Sequence, residues 1–143
     1  HGPHGYITTD PAEIARSQNR LKEKLLSAVG HFTFHETFKM DTADTLLITY
    51  GVSARAAKAV FNQQNRQGNP VSLLVLKTLW PVPEDLIRRA ARTVKRIVVL
   101  EMNMGQYVQE IKRILPEKQI DFRGQMDGRL ITPDQITEAI NSG

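Results

Sequence analysis

The chain contains no cysteine, which excludes disulfides, thiolate zinc sites, iron–sulfur ligation and cysteine nucleophiles within its 143 residues. That composition suits a reducing, cytoplasmic setting. Long apolar runs are also missing. Val71–Leu76 and Ile97–Leu100 are the longest, far below the roughly 20 residues that span a bilayer. No signal-peptide pattern opens the chain, so no membrane contact is expected. The opening lacks an initiator methionine, which points to processing or to excision from a longer chain. Nucleotide-binding glycine loops are absent too. Neither G-x-G-x-x-G nor G-x-x-x-x-G-K-[ST] occurs, and Gly51 stands alone before Ser53. The charge of +4 permits an acidic partner or ligand without requiring nucleic acid.

What remains is the composition of one soluble domain: 41% hydrophobic and 24% charged residues at a length typical of a single core. Strands alternate with helices. Thr45–Tyr50 is β-rich and ends at Gly51, with Ser53 placed to cap a helix bearing Ala56, Ala57, Val60 and Phe61. Val71–Leu76 is nearly continuous in apolar residues, as a strand covered on both faces should be. Pro83 opens a helix with Glu84 and Asp85 in its first turn and an apolar stripe of Leu86, Ile87, Ala90, Ala91 and Val94. Ile97–Leu100 is a third strand, Gly105 precedes a helix with Val108, Ile111, Ile114 and Leu115, and Gln119–Arg123 is a weaker fourth strand.

Asp10-Pro11-Ala12-Glu13 and Thr132-Pro133-Asp134-Gln135 each give a cap, a proline and an acid or amide, and so start a helix near each end. The first helix carries Ile14, Leu21 and Leu25, the last Ile136, Ala139 and Ile140. Between the first helix and the first clear strand, Val29–Met40 alternates Phe32, Phe34 and Phe38 with polar residues, as an edge strand or an extended arm. The expected organisation is an N-terminal helix and connecting arm over residues 1–40 and an α/β domain over residues 41–143, one compact unit overall. Repeated strand–helix–strand units require right-handed crossovers and a mostly parallel sheet covered by helices on both faces.

Ligands of such sheets gather at the carboxyl ends of strands. Here those ends are Gly51-Val52-Ser53, Lys77-Thr78-Leu79-Trp80-Pro81 and Glu101-Met102-Asn103-Met104-Gly105-Gln106. Gly51 and Ser53 are weak cofactor-binding candidates, since a helix start can hold an anion, although a simple cap explains Ser53 as well. Glu101 can face a ligand or a neighbouring subunit, or can satisfy loop N–H groups internally. No second carboxylate is anchored beside it for acid–base work, so no catalytic residue is assigned. Trp80 is expected as a packing anchor or subunit contact. Arg88, Arg92 and Arg96, spaced four apart, would share one helical face open to phosphate or an acidic partner, or would be simply solvated. His31 and His35 are also four apart, but Phe32-Thr33-Phe34 favours extension and no acidic ligands accompany them, so no metal site is expected.

Leu76-Lys77-Thr78-Leu79-Trp80-Pro81-Val82-Pro83 and Val99-Leu100-Glu101-Met102-Asn103-Met104-Gly105-Gln106 together resemble the α subunit of 2-oxoacid:ferredoxin oxidoreductases, in the flavour of the 2-oxoglutarate and branched-chain ketoacid members. The opening, with a glycine and histidine, then Gly5 and Asp10-Pro11, is similar to the segment after that family's thiamine-pyrophosphate pyrimidine domain. Gly5-Tyr6-Ile7-Thr8 replaces the acidic residues usual after the histidine, and no role is carried to His4. The resemblance implies a transketolase C-terminal-like domain: a three-layer α/β/α sandwich with a five-strand, mostly parallel sheet and one antiparallel strand, supplied near Phe32–Phe38.

The implied holoenzyme converts a 2-oxoacid, coenzyme A and oxidised ferredoxin to acyl-CoA, carbon dioxide and reduced ferredoxin, using thiamine pyrophosphate, Mg2+ and iron–sulfur clusters held outside this chain. Its partners would be β subunits, with γ and δ as further members of an oligomer, and ferredoxin. This domain would bind no cofactor itself. Thr78, Trp80, Pro81, Glu101, Asn103, Gly105 and Gln106 would form its interface or strand-end site, serving subunit assembly and the approach of coenzyme A. The alternatives are a free-standing regulatory module that binds a coenzyme, or the equivalent domain of a transketolase or ketoacid dehydrogenase.

Overall fold

The computed structural model describes residues 5–142. The element order is α1 (Pro11–Phe32), β1 (His35–Phe38), β2 (Thr45–Tyr50), α2 (Ser53–Arg66), β3 (Val71–Leu76), α3 (Glu84–Ala91), β4 (Arg96–Glu101), α4 (Gln106–Ile114), β5 (Gln119–Gly124) and α5 (Pro133–Asn141). The chain divides into two compact units between Thr33 and Phe34. Residue 40, expected as the end of the arm, thus falls beyond β1, a strand of the second unit's sheet.

The first unit is dominated by α1. Asp10 Oδ1 accepts the Ala12 N–H at 2.9 Å and Pro11 occupies the first turn, as the sequence signal requires. The helix continues to Phe32, so Val29–Phe32 is helical rather than extended. Only His35–Phe38 of the Phe-rich stretch becomes a strand. The reason is local: Ala28 is a strong helix former, His31 suits the last turn, and no proline or left-handed glycine intervenes to stop the helix.

The second unit is the expected three-layer sandwich. Its sheet runs β1-β3-β2-β4-β5, with β1 antiparallel to β3 and every other pairing parallel. Period-two alternation along the central strands divides the core into two layers. Leu46, Ile48, Leu74, Leu76, Ile97 and Val99 pack against α3 and α4. Leu47, Leu73, Val75, Val98 and Leu100 pack against α2 and α5. All of β3 is buried, so each Val or Leu there contributes about 1.5–3 kcal/mol relative to an exposed position. Ser72, the polar interruption in β3, is satisfied because its Oγ accepts the Met40 N–H at 3.0 Å.

Two local expectations are corrected. Ser53 is not the cap of α2: Val52 holds that place without a side-chain bond, and Ser53 is the first helical residue, its Oγ turned to Tyr50 O at 3.4 Å. The arginine stripe does not exist, because α3 ends at Ala91 and Arg96 begins β4. There Arg96 pairs with Asp121 and donates to the Ala139 and Ile140 carbonyls at the end of α5. At the C-terminus Thr132 and Gln135 complete the expected capping box of α5.

Candidate functional site at the strand ends

β2 sends its chain to α2 on one face and then to β3 on one side; β4 sends its chain to α4 on the other face and then to β5 on the other side. The carboxyl ends of β2 and β4 therefore flank a topological switch point, where open α/β sheets place their crevice. Four polar side chains meet there: Tyr50 at the end of β2, Glu101 at the end of β4, Asn103 in the loop that follows, and Tyr107 in the first turn of α4.

Glu101 is fully buried. Its Oε1 accepts the Val108 N–H at 2.7 Å, and its Oε2 accepts the Tyr107 N–H and the Tyr50 hydroxyl, both at 2.9 Å. Asn103 completes the plug. Its Oδ1 accepts the Gly105 and Gln106 N–H groups at 2.8 and 3.2 Å, and its amide donates to Tyr50 Oη at 2.6 Å. Four consecutive N–H groups at the start of α4 are thus taken by two side chains of the same chain. Gly105 makes the geometry possible: its φ is +92°, and a β-carbon there would press on Val108 Cγ1 at 3.1 Å and the Phe122 ring at 3.2 Å.

Of the two placements left open for Glu101, the internal one is observed, and the residue's grouping with the outward-facing rim residues is corrected. Its carboxylate faces inward and anchors a helix, because a buried carboxylate needs several donors and the free end of α4 is the nearest supply. Burial, and then the hydrogen bond to Glu101, pushes the Tyr50 hydroxyl up to about 12. Burial also raises Tyr107, whose hydroxyl is enclosed without a partner among the described residues.

The other strand-end residues are spread along the rim. Gly51 is exposed in a turn with φ +61°, and Ser53 beside it is buried. The Thr78 hydroxyl accepts the Phe34 N–H at 3.1 Å and so ties the β3 exit to the entry of β1. Trp80 is 70% exposed and Met104 77% exposed, with Pro81 buried behind the tryptophan and Gln106 in solvent. Trp80 is therefore not a packing anchor within the second unit.

A cluster that sequence reading missed lies beside Gly51. Glu36 on β1 takes Lys58 of α2 at 2.7 Å and Lys77 at 2.8 Å, and the two ammonium groups hold its carboxyl at about 2. It edges a groove of about 380 Å³ that also includes Tyr50, Ala54 and Leu79. No sequence spacing links residues 36, 58 and 77; only the antiparallel return of β1 brings them together.

Among the described residues the donor set does not fit a metal cofactor. Iron–sulfur ligation needs thiolates the chain lacks. Among the described residues no three His, Asp or Glu side chains converge. His31 lies on α1 and His35 on β1, while His1 and His4 fall outside the described residues. Among the described residues no helix is long and apolar enough to cross a membrane.

Known proteins agree with this architecture. Over 98% of the chain, it is 30% identical to 2-oxoglutarate synthase subunit KorA of Archaeoglobus fulgidus and 27% identical to that of Methanothermobacter marburgensis. It is 29% identical over 94% of its length to ketoisovalerate oxidoreductase subunit VorB of Methanothermobacter thermautotrophicus. The chain spans 38% of the length of each of these relatives. The fold is shared with 2-oxoglutarate:ferredoxin oxidoreductase from Magnetococcus marinus, solved with 2-oxoglutarate, coenzyme A and succinyl-CoA bound. That match has a TM-score of 0.83 at 22% identity, covering 98% of this chain and 25% of that one. A split-gene transketolase matches with a TM-score of 0.63 at 15% identity, over 75% of this chain and 40% of that one. Residues 43–136 match pyruvate:ferredoxin oxidoreductase core domain II, and the chain belongs to that family.

Proposed function

We propose that this chain is the core domain II portion of an α-type subunit of a thiamine-pyrophosphate-dependent 2-oxoacid:ferredoxin oxidoreductase, and that its strand-end rim serves subunit assembly and the approach of coenzyme A. The holoenzyme would join 2-oxoacid decarboxylation to acyl-CoA formation and ferredoxin reduction in the cytoplasm. Thiamine pyrophosphate, Mg2+ and the iron–sulfur clusters would be held by other parts of that enzyme, and β, γ and δ subunits would be its partners.

One observation carries the assembly role. The first-turn N–H groups of α4 and the Tyr50 hydroxyl are consumed internally by Glu101 and Asn103, while Val52, Trp80 and Met104 stand exposed at the exits of three neighbouring strands. A site built for chemistry keeps its polar groups available. Large exposed apolar side chains instead suit burial by another component. Thr78, Pro81 and Gly105 set the loops that present them, and Gln106 adds a polar rim.

The test reconstitutes the subunit carrying this chain with its β-type partner and measures 2-oxoacid-dependent viologen reduction. Activity requiring coenzyme A is expected, and Trp80→Ala with Met104→Ala should reduce co-purification of the partner while leaving the domain folded. Inactivity with every common 2-oxoacid would sink the reading.

A further inference from the structure

The two edges of the sheet are unlike. β1 is four residues long, and its Glu36 sits under two lysines, features that discourage another strand from pairing there. β5 is six residues long and pairs only with β4 among the described strands. Gln125 N–H donates to Glu101 O at 3.1 Å, which fixes the phase of the backbone. Odd-numbered residues back from it, Arg123 and Asp121, turn their peptide groups toward β4. Ile120, Phe122 and Gly124 therefore turn theirs outward.

The side chains along this edge are complementary to themselves. Phe122 is 40% exposed and lies over Gly105 and Gly124 on the α4 face. Asp121 and Arg123, on either side of it, share the opposite face. In an antiparallel pairing with Phe122 opposite Phe122 of a second copy, the outward peptide groups of Ile120, Phe122 and Gly124 meet those of Gly124, Phe122 and Ile120. The same register sets Asp121 opposite Arg123 twice, once on each side of the twofold axis. Arg123 Nε is buried without a partner among the described residues, and the contacts of Asp121 to Arg96 and Gln119 both use Oδ2. A register displaced by one residue would oppose outward and inward peptide groups and would lose these charge pairs.

We infer that β5 is an isologous interface, joining two copies of this chain edge to edge into one continuous sheet, with the Asp121–Arg123 pairs fixing the register.

Sedimentation equilibrium on the 143-residue chain from micromolar to millimolar concentration reads this directly. A reversible dimer is expected. Arg123→Glu and Asp121→Lys, each checked by near-ultraviolet circular dichroism, should weaken it by about tenfold or more, since like charges then face each other twice. An equimolar mixture of the two variants should recover the dimer. In the mixed pair the two introduced side chains, of opposite charge, face each other on one side of the axis, and the native Asp121 faces the native Arg123 on the other. Asp121→Lys also removes the partner of Arg96, so amide exchange of the unaltered chain gives a second reading. The Phe122 and Gly124 N–H groups should slow with rising concentration, while those of Asp121 and Arg123, already bonded to β4, should not change. A chain monomeric at every concentration overturns the proposal. So does a dimer indifferent to both substitutions, a mixture no tighter than its components, or exchange at Phe122 and Gly124 independent of concentration.

Discussion

Tyr50 and Glu101, at the ends of neighbouring parallel strands, share a 2.9 Å hydrogen bond that closes the crevice between β2 and β4. The hydroxyl is one of three donors to a fully buried carboxylate, the other two being the first-turn amides of α4. Removing the carboxylate strands two buried N–H groups, at about 1–3 kcal/mol each. Glu101→Ala should therefore lower unfolding free energy by about 3 kcal/mol or more. Tyr50→Phe should cost only about 1 kcal/mol, because the amides keep their acceptors. Urea unfolding of the two variants checks the order. Equal losses would mean that the helix anchor is not the main role of Glu101.

Gly105 and Gly51 both have positive φ, +92° and +61°, yet substitution should separate them. A methyl at Gly105 would sit 3.1 Å from Val108 Cγ1 and 3.2 Å from the Phe122 ring, whereas nothing lies within 4 Å of one at Gly51. Gly51→Ala should cost about 1–2 kcal/mol for the left-handed backbone alone. Gly105→Ala adds a clash in a packed site and should cost about 1–3 kcal/mol more. Thermal melts of the two variants measure the difference directly.

Much of this fold was legible because its signals are local. The apolar runs of β2, β3 and β4, the Asp10 and Thr132 caps, and the punctuation at Gly51 and Gly105 act over a few residues, and each appears in the expected element. The direction of Glu101 was not legible. Whether a strand-end carboxylate turns outward or inward depends on which donors the crossover brings beneath it, and those were Tyr107 and Val108 of α4 and Tyr50 from another strand. An outward Glu101 predicts a neutral effect on the fold from Glu101→Ala; the observed geometry reverses that. Tyr50 was missed for the same reason, as was Glu36 between Lys58 and Lys77. Arg96 fitted a helical stripe by spacing, and only the early end of α3 at Ala91 placed it on a strand.

Stability should respond to pH at both extremes. Lys58 and Lys77 hold Glu36 at about 2 against an ordinary 4.5. A depressed carboxyl contributes stability that is present above the unfolded value and lost as pH falls through the folded one, so this contribution fades between about pH 4.5 and 2. Tyr50 moves the other way, from 10 to about 12, first through burial and then through Glu101. Its contribution is complete below pH 10 and lost as pH rises toward 12. Glu36→Gln should make the acid limb of a stability–pH curve shallower, and Tyr50→Phe the alkaline limb, to which buried Tyr107 also contributes, each leaving the opposite limb unchanged. Denaturant midpoints across a pH series test both signs.

Val99 and Trp80 bracket the two ways in which this domain uses apolar side chains. Val99 is fully buried in β4 between strands on both sides, with α3 and α4 packed over its face of the sheet. A carboxylate there would have no partner, and an unpaired buried charge costs several kcal/mol, enough to offset most of the net stability of a domain this size. Val99→Asp should therefore leave the chain unfolded at room temperature, with lost far-ultraviolet dichroism. Trp80 is 70% exposed, so Trp80→Ser removes little burial and should change unfolding free energy by no more than about 0.5 kcal/mol. Under the proposed assembly role, its effect should emerge only on mixing with a β-type subunit. A Trp80→Ser variant as unstable as Val99→Asp would show that the tryptophan supports the fold of the isolated chain, and the rim would lose its best candidate for a subunit contact.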